Sequence, residues 1–220
     1  MNIEQARFNM IEQQIRTWEV LDPAVLDLLF EVKRELFVPP EHRDLAFADL
    51  EIPIGHGQAM MQPKVEARIL QELAIQPHEN VYEVGTGSGY LTALIARRAR
   101  HVTSAEIHPD LQARAAASLR AAGAAGAANI TLLEGDSARA PLAESAFDVI
   151  VLTGSTPILP QAFLDRLSPG GRVFAVVGDE PVMKAVLVRH PMPGAFQHTE
   201  LFETVLKPLV NAAEPPRFRF

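Results

Sequence analysis

The residues best suited to chemistry lie in a glycine-rich stretch near the middle of the chain. Gly85, Gly87 and Gly89 occupy alternate positions, and Glu83 stands two residues before the first of them. An apolar run precedes the glycines, and apolar residues at helical spacing follow them. This pattern predicts a buried strand, a tight turn and the start of a helix. Such a turn lets a ligand approach the backbone, and the free N–H groups of the helix start favour its polar or anionic groups.

Polar residues recur where the later predicted strands end. Glu106, Asp136 and Thr153 each follow an apolar run, and Glu106 comes 17 residues after Gly89. In a parallel sheet these strand ends meet at one edge, where an acidic residue on the second strand accepts hydrogen bonds from ribose hydroxyls. The alternative is that Glu106 and Asp136 are only solvated strand ends. The glycine turn before them favours a ligand crevice.

The spacing of the glycines separates two classes of cofactor. Dinucleotide sites use G-x-G-x-x-G, whereas this chain has G-x-G-x-G. A dehydrogenase is therefore disfavoured, and tight binding of NAD would be the observation that favours this alternative. The stretch resembles the first motif of class I S-adenosylmethionine-dependent methyltransferases, which release S-adenosyl-L-homocysteine. The resemblance implies that Glu106 binds the ribose and Asp136 the adenine amino group, within a cofactor set of Glu83, Gly85, Thr86, Gly87, Ser88, Gly89, Glu106, Ile107, Asp136, Ser137 and Thr153.

The alternation of predicted strands and helices indicates the α/β class, with a doubly wound and mostly parallel sheet. We expect one domain over 1–220. It consists of a helical lead-in with an acceptor loop (1–78), a cofactor-binding core (79–210) and a tail (211–220). We predict helices over 3–17, over 22–35, from 109 to 123 or 126, and over 157–167. We also predict a turn at 168–171 and a closing antiparallel strand pair over 185–190 and 196–206.

Composition narrows the function classes. The 220 residues carry a net charge of −7 and no basic stripe, which argues against nucleic acid as the main partner. Cysteine is absent, so disulfides, thiol chemistry and zinc–thiolate sites are excluded, and we expect no metal. No apolar span has membrane length and no signal core begins the sequence, so we expect a cytoplasmic protein without a membrane partner.

A loop with a specified backbone precedes the core. Gly55 and Gly57 flank His56, and Pro63 closes the segment, so we expect an irregular loop that builds an acceptor site. His56 has two readings: it orients the acceptor or titrates near neutral pH, or it is only fixed by backbone hydrogen bonds. We do not assign it as a general base.

Several blocks together resemble one family over nearly the whole chain. The chain is similar to the protein-L-isoaspartate O-methyltransferases, which methylate the isoaspartyl carboxylate of aged proteins and so begin its repair. The resemblance implies a seven-stranded Rossmann-like methyltransferase fold, an S-adenosyl-L-methionine cofactor and an isoaspartyl-containing peptide or protein as partner. It rests on Arg34–Pro39, Ala48-Asp49, Ile52–Gln58, Gln62-Pro63, Glu83–Tyr90, Gly135-Asp136, Pro160 with Leu164, and Gly170–Arg172.

The chain departs from this family in the acceptor loop. The family usually has Thr-Ile-Ser after Gly-Gln, and this chain has Ala59-Met60-Met61, so a thioether replaces the serine thought to position the acceptor. No catalytic residue is therefore assigned, and the predicted acceptor loop is His56, Gly57, Gln58, Ala59, Met60 and Met61. Smaller departures are Ser137, where the family has glycine, and Val176-Val177-Gly178 in place of Pro-Val-Gly.

Three functions remain open from the sequence. The first is isoaspartyl methylation, weakened by the lost hydroxyl. The second is methylation of a different small or more apolar acceptor, which the two methionines favour because methionine adapts to irregular apolar shapes. The third is a non-catalytic S-adenosylmethionine-binding module. A further alternative is that Met60 and Met61 only fill the core. Neither the oligomeric state nor a role for the Arg-Phe tail follows from the sequence.

Overall fold

The computed structural model describes residues 2–123 and 128–215. The predicted helix stop at Gly126 and the Arg-Phe end of the tail lie outside these ranges. The helices are α1 (Ile3–Met10), α2 (Pro23–Glu31), α3 (Pro63–Leu73), α4 (Tyr90–Ala96), α5 (Pro109–Ala121) and α6 (Gln161–Leu164). The strands are β1 (Ile52–Gly55), β2 (Gln58–Met60), β3 (Asn80–Val84), β4 (His101–Glu106), β5 (Ile130–Glu134), β6 (Phe147–Thr156), β7 (Leu167–Asp179), β8 (Val182–Met192) and β9 (Ala195–Glu203).

Seven strands form one mostly parallel sheet, which confirms the predicted fold class. Their order is β5-β4-β3-β6-β7-β8-β9. Strands β3 to β7 pair in parallel, whereas β8 and β9 join as the predicted antiparallel closing pair. The chain winds outward from β3 through β4 to β5, then returns to place β6 on the other side of β3. Ligands of open α/β sheets bind at such a reversal, outside the carboxyl ends of the strands.

The central strands are buried on both faces, so their sequences read as continuous apolar runs. Val81 and Tyr82 of β3 are both fully buried, and they belong to separate apolar clusters on opposite sides of the sheet. Val149 and Ile150 of β6 divide in the same way. This alternation follows from the twofold periodicity of side chains along a strand. It fixes the strand ends, and therefore the site, on a rigid two-sided core.

The N-terminal helical extension is confirmed, with different ends. The first helical segment continues past α1 as a π-helical turn (Ile11–Ile15) and a 3-10 turn (Arg16–Trp18). Asp22 caps α2 by accepting from the Ala24 N–H at 2.9 Å, as predicted. The expected continuation of this helix to residue 35 is wrong, because Val32 is extended and ends it.

The break after α2 turns Arg34 into the protein interior, where its side chain is 1% exposed. The Arg34 guanidinium donates to the carbonyls of Ala46 (3.0 Å) and Met61 (2.8 Å) and forms a buried ion pair with Glu66. A buried charge needs such partners. The arrangement ties the N-terminal extension to the backbone that follows β2.

Other segments also differ from the sequence predictions. The expected irregular acceptor loop is a hairpin of β1 and β2, with His56 and Gly57 in its turn at φ of 52° and 71°. The helix expected over 157–167 is reduced to α6, because Pro160 before it is extended and β7 already begins at Leu167. The turn expected at 168–171 lies within β7, where the pairing with β6 shifts register. The last strand ends at Glu203, three residues before the expected end at 206.

No helix in the described ranges combines the length and the apolar character needed to cross a bilayer.

Candidate active site

A cleft opens at the carboxyl ends of the central strands and extends to the β1–β2 hairpin. Its atom-free space is about 710 Å³, open solvent at the mouth included. The ends of four neighbouring strands contribute Gly85, Glu106, Asp136 and Thr153 to its lining, as the sequence predicted. The predicted residues found in the lining are Gln58, Ala59, Met61, Gly85, Gly87, Glu106, Ile107, Asp136, Ser137 and Thr153.

Gly85 and Gly87 of the glycine turn form the floor of the cleft. Gly85, Gly87 and Gly89 have φ values of 92°, 55° and 84°, a left-handed region that glycine adopts at little cost. A Cβ at Gly85 would overlap the Thr153 hydroxyl. The Thr153 hydroxyl instead donates to the carbonyls of Val84 and Gly85, both at 2.8 Å. The turn therefore presents bare backbone to whatever fills the cleft.

Glu106 holds a carboxylate at the tip of β4. Its side chain is almost completely buried, and one oxygen accepts from the Gly87 N–H at 2.8 Å. The other oxygen accepts from the His108 N–H at 3.1 Å. These amides fix the carboxylate between the glycine turn and α5. Each carboxylate oxygen can accept more than one hydrogen bond, so Glu106 keeps acceptor capacity toward the cleft.

Glu83 lies beneath the turn and outside the main cleft lining. One of its oxygens accepts from the hydroxyls of Thr92 (2.5 Å) and Ser104 (2.6 Å), whereas the other is buried without a partner. Complete burial raises the pKa of Glu83 to about 7, which the two hydroxyls only partly offset. Thr86 is also buried and shares a 2.6 Å hydrogen bond with Ser104. Glu83 therefore supports the turn from below with a carboxyl whose burial favours the protonated form.

Two predicted residues at the end of β5 are already engaged within the chain. Asp136 accepts from the Ala138 N–H at 3.0 Å and from the Asn211 side-chain amide at 2.8 Å. Ser137 is buried, and its hydroxyl is 2.8 Å from the Tyr82 hydroxyl. Asp136 is exposed at the rim, where its carboxylate can accept further hydrogen bonds. Ser137 mainly fixes the backbone beside it.

The hairpin forms the wall of the cleft opposite the strand ends. Gln58, Ala59 and Met61 line the cleft, and Met61 is 6% exposed. Met60 is buried away from the cleft and lines a smaller chamber beside it, together with Glu83, Thr86 and Ser88. Both methionines are buried in the core, but each also lines an open space, so the expectation that they only fill the core is not met in full. Met61 meets both the core and the cleft.

His56 and Gly57 form the hairpin turn and lie outside the main cleft lining. The His56 ring stacks on His108 with centroids 4.1 Å apart, and its Nε2 is 2.8 Å from the Asp110 carboxylate. The Arg114 guanidinium donates to the Ile54 carbonyl at 2.8 Å. The hairpin is therefore attached to the start of α5. The contacts of the His56 ring are with the side chains of His108 and Asp110, whereas the second reading expected hydrogen bonds to the backbone.

The sequence did not identify the segment that follows β9, which forms part of the lining. Leu206, Lys207, Leu209 and Val210 contact the cleft, and the backbone of this segment pairs with Ser155 at the end of β6. Glu51, Ile54, His108 and Leu111 also belong to the lining. The proline at position 208 was the one available signal that the last segment differs from a simple continuation of β9.

The sequence matches a family model along most of its length. The model describes protein-L-isoaspartate(D-aspartate) O-methyltransferase (PCMT), and it covers residues 5–214. The chain belongs to this family. It is thus an S-adenosylmethionine-dependent O-methyltransferase by family, which confirms the resemblance on which the sequence analysis relied.

Curated relatives match this chain over most of their own length. "Protein-L-isoaspartate O-methyltransferase 1" of Syntrophobacter fumaroxidans is 37% identical over 201 residues, which cover 91% of this chain and 92% of that protein. The protein of the same name from an Anaeromyxobacter species is 39% identical over 204 residues, which cover 92% and 95% of the two chains.

A solved structure shows the same fold. It is described as a protein-L-isoaspartate O-methyltransferase beta-aspartate methyltransferase (PCMT) from Plasmodium falciparum in complex with S-adenosyl-L-homocysteine. The TM-score is 0.80 with 18% sequence identity, over 96% of this chain and 99% of that one.

The cleft of this chain fits the family's cofactor on its own geometry. The floor is backbone without side chains at Gly85 and Gly87, the wall holds a fixed carboxylate at Glu106, and the apolar Ile107 and Leu111 lie beside it. These are the surfaces that a ribose and a flat base require: acceptors for hydroxyls, and apolar area for the ring.

Proposed function

We propose that this protein transfers the methyl group of S-adenosylmethionine to the α-carboxylate of isoaspartyl residues in damaged peptides and proteins. The observation that carries the proposal is the continuity of the cleft. Its strand-end wall, with Glu106 and Asp136, runs without interruption into the hairpin wall, with Gln58 and Met61. A donor on the first wall and an acceptor against the second would therefore meet in one space.

The chain's own residues would divide the binding task between these walls. Glu106 would accept hydrogen bonds from the ribose hydroxyls and Asp136 from the adenine amino group, while Gly85 and Gly87 lie against the rest of the donor. The acceptor would lie against Gln58, Ala59 and Met61. Leu209 of the last segment lies beside Gly85 and Gly154, where apolar surface excludes water from the reacting atoms.

The reaction needs no proton transfer from the protein. The bound cofactor supplies an electrophilic methyl carbon, to which a carboxylate oxygen bonds as the carbon–sulfur bond breaks and its electron pair stays on sulfur. An α-carboxylate is ionised at neutral pH, so no general base is required. What this chain must provide is alignment, which can contribute about 7–11 kcal/mol to catalysis.

On this proposal the reaction does not require the hydroxyl that Met61 replaces. A charge-assisted hydrogen bond from a hydroxyl contributes about 1.5–3 kcal/mol. Its loss would slow the reaction by a factor of about 10–150 if it acted in the transition state. The alignment provided by the two walls is larger and does not depend on that hydroxyl. We therefore expect a working but slower isoaspartyl methyltransferase.

The identity of the product tests this proposal. An isoaspartyl peptide is incubated with the protein and S-adenosylmethionine, and the modified peptide is sequenced by fragmentation mass spectrometry. We expect one added methyl group, on the isoaspartyl α-carboxylate, as an ester that alkali removes. An alkali-stable methyl group on a nitrogen atom, or no modification beside proven cofactor binding, would contradict it.

A second candidate function has one specific observation in its favour. Ala59 and Met61 give the hairpin wall of the cleft an apolar surface where the family usually carries hydroxyls. This surface suits a smaller or more apolar acceptor. If the isoaspartyl peptide stays unmodified, small carboxylic acids of increasing apolar size are the next acceptors to test.

A further inference from the structure

The cleft contains one charged side chain that neither the family motifs nor methyl transfer explains, which is Lys207. Among the described lining residues, the carboxylates are Glu51, Glu106 and Asp136, and Lys207 is the one permanent cation. Like charges at an interface cost free energy. A cleft with these carboxylates therefore disfavours an anionic acceptor unless a cation lies close to it. The sulfonium of the bound cofactor would supply one positive charge, and Lys207 is the cation that this chain adds to the described lining.

The backbone of Lys207 is held rigidly at the end of β6. The Ser155 N–H donates to the Lys207 carbonyl at 2.9 Å, and the Ser155 hydroxyl donates to the Leu206 carbonyl at 2.8 Å. The Leu209 N–H donates back to the Ser155 carbonyl at 2.9 Å. Gly154 allows this close approach, since a Cβ there would lie 3.0 Å from the Lys207 carbonyl oxygen. The lysine therefore projects from a fixed point.

The side chain of Lys207 reaches from this point to the acceptor hairpin. Its ammonium donates to the Gly57 carbonyl in the hairpin turn at 2.8 Å. An ammonium has three protons to donate, and this bond uses one of them. Lys207 is exposed, so the other two protons are available to a ligand. Gln58 and Ala59, the next residues of the hairpin, line the same cleft.

The charge of Lys207 also acts on the cleft itself. Burial raises the pKa of the Glu51 carboxyl, and the Lys207 ammonium works in the opposite direction. Lys207 and Glu51 thus place opposite charges near the hairpin.

We propose that Lys207 is a specificity-determining residue that binds the acceptor carboxylate at the hairpin end of the cleft, in place of the hydroxyl that Met61 lacks. This inference rests on the proposed isoaspartyl acceptor. An isoaspartyl residue presents one free α-carboxylate, and the ammonium both offsets the neighbouring carboxylates and donates a charge-assisted hydrogen bond to it. Arginine and lysine share this ability, whereas methionine keeps only the apolar stem.

The chemistry predicts which kinetic constant depends on Lys207. Methyl transfer converts the charged carboxylate into a neutral ester, so the attraction is strongest before the reaction and falls as the methyl group is transferred. An interaction that does not strengthen toward the transition state lowers KM without raising kcat. Loss of the cation should therefore raise KM for the peptide and leave kcat unchanged or slightly higher.

The test compares Lys207→Met and Lys207→Arg with the unmodified protein. KM and kcat are measured with an isoaspartyl peptide, and the affinity for S-adenosyl-L-homocysteine is measured separately by calorimetry. We expect Lys207→Met to raise KM by about tenfold or more, the effect of one lost charge-assisted hydrogen bond. Lys207→Arg should restore most of the affinity for the peptide. Both variants should bind S-adenosyl-L-homocysteine as the unmodified protein does.

Lys184→Met is the matched control. Lys184 is an exposed lysine on β8 that pairs with Glu200 of β9, outside the lining of the cleft. Its replacement should change neither KM nor kcat. An unchanged KM in Lys207→Met would overturn the proposal, and so would a parallel loss of S-adenosyl-L-homocysteine affinity, which indicates a structural role. Failure of the proposed function is distinguishable from failure of this inference. In the first case the unmodified protein itself leaves the isoaspartyl peptide unmethylated, and the inference about Lys207 is then wrong as well.

Discussion

At the scale of single residues, Glu106 combines a structural and a binding task. Its carboxylate accepts the N–H groups of Gly87 and His108, which fixes its direction before any ligand arrives. A side chain already held by its neighbours loses little conformational freedom on binding. The sequence located this residue through its place at a strand end. It could not show that the glycine turn holds the carboxylate.

Replacement of Glu106 should affect cofactor binding directly. We expect Glu106→Ala to weaken S-adenosylmethionine binding by more than about tenfold, because a charge-assisted hydrogen bond contributes about 1.5–3 kcal/mol. Glu106→Gln keeps one acceptor oxygen and should lose less. Calorimetric titration with the cofactor measures both. An unchanged dissociation constant in Glu106→Ala would contradict the assignment of Glu106 to the ribose.

Met61 shows what residue types alone leave open. The sequence allowed a core residue or an acceptor-site residue, and the structure shows Met61 buried in the core and also in the lining of the cleft. The choice depended on the direction of consecutive side chains. Ala59 and Met61 line the main cleft, whereas Met60 lines only the smaller chamber beside it.

Restoring the family's hydroxyls should raise activity. We expect the double variant Ala59→Thr with Met61→Ser to increase kcat/KM for an isoaspartyl peptide by about tenfold or more, the value of one recovered charge-assisted hydrogen bond. Met60→Ser is the control, because Met60 lies outside the main cleft lining, and it should bring no increase. A double variant that folds and binds cofactor but gains nothing would argue for the second, more apolar acceptor.

At the scale of elements, the acceptor hairpin is the part of the site that the sequence described least well. Two glycines around His56 indicated a special backbone, and an irregular loop was expected. The structure has a hairpin whose turn residues, His56 and Gly57, are both left-handed, which is the geometry that matches the twist of paired strands. The strand signal was weak because β2 has only three residues and Pro53 interrupts β1.

The attachment of the hairpin to α5 can be tested through Arg114. Its guanidinium donates to the Ile54 carbonyl at 2.8 Å, on a side chain that is half exposed. We expect Arg114→Gln to raise KM for the peptide by about fivefold, corresponding to about 1 kcal/mol of lost hydrogen bonding. The cleavage of the hairpin by a protease should also become faster. The melting temperature should hardly change, because the contact lies at the surface.

Arg120→Gln provides the comparison for this variant. Arg120 is exposed on the same helix near its C-terminal end, and it is not among the residues that line the cleft. Its kinetics and protease sensitivity should match those of the unmodified protein. Equal behaviour of the Arg114 and Arg120 variants would mean that the hairpin keeps its position without the Arg114 bond.

At the scale of the whole molecule, the fold class was the most predictable feature. Each central strand is buried on both faces and each ends in a polar or glycine residue, so both the fold class and the common edge of Gly85, Glu106, Asp136 and Thr153 followed from pattern. The contribution of residues 204–210 to the cleft lining could not be predicted from the sequence pattern. Their place beside the strand ends depends on pairing with Ser155, about 50 residues earlier, and such long-range contacts leave no local signal.

The buried Glu83 makes the stability of the whole fold depend on pH. Its pKa is about 7 in the folded protein and 4.5 when unperturbed, so the folded state holds the proton more tightly. The corresponding stabilisation is complete below pH 4.5 and is lost as the pH rises through 7. The free energy of unfolding should therefore fall across this window, by an amount of the order of 3 kcal/mol from this group.

Glu83→Gln should remove this part of the pH dependence. Glutamine resembles the protonated carboxyl and can still accept from Thr92 and Ser104. We expect urea unfolding curves recorded between about pH 5 and 8 to give a flatter profile for the variant than for the unmodified protein. Glu200→Gln, which alters an exposed carboxylate, should retain the original slope. Parallel profiles for Glu83→Gln and the unmodified protein would show that Glu83 is ionised when buried.

The central claim is that the two walls of the cleft bring a methyl donor to an isoaspartyl carboxylate. The most direct measurement is the initial rate of radiolabelled methyl transfer from S-adenosylmethionine to an isoaspartyl peptide, and to the same peptide with a normal aspartyl residue. The account predicts label on the isoaspartyl peptide and none on the aspartyl peptide. Equal labelling of both peptides, or no labelling of either by a protein that binds the cofactor, would contradict it.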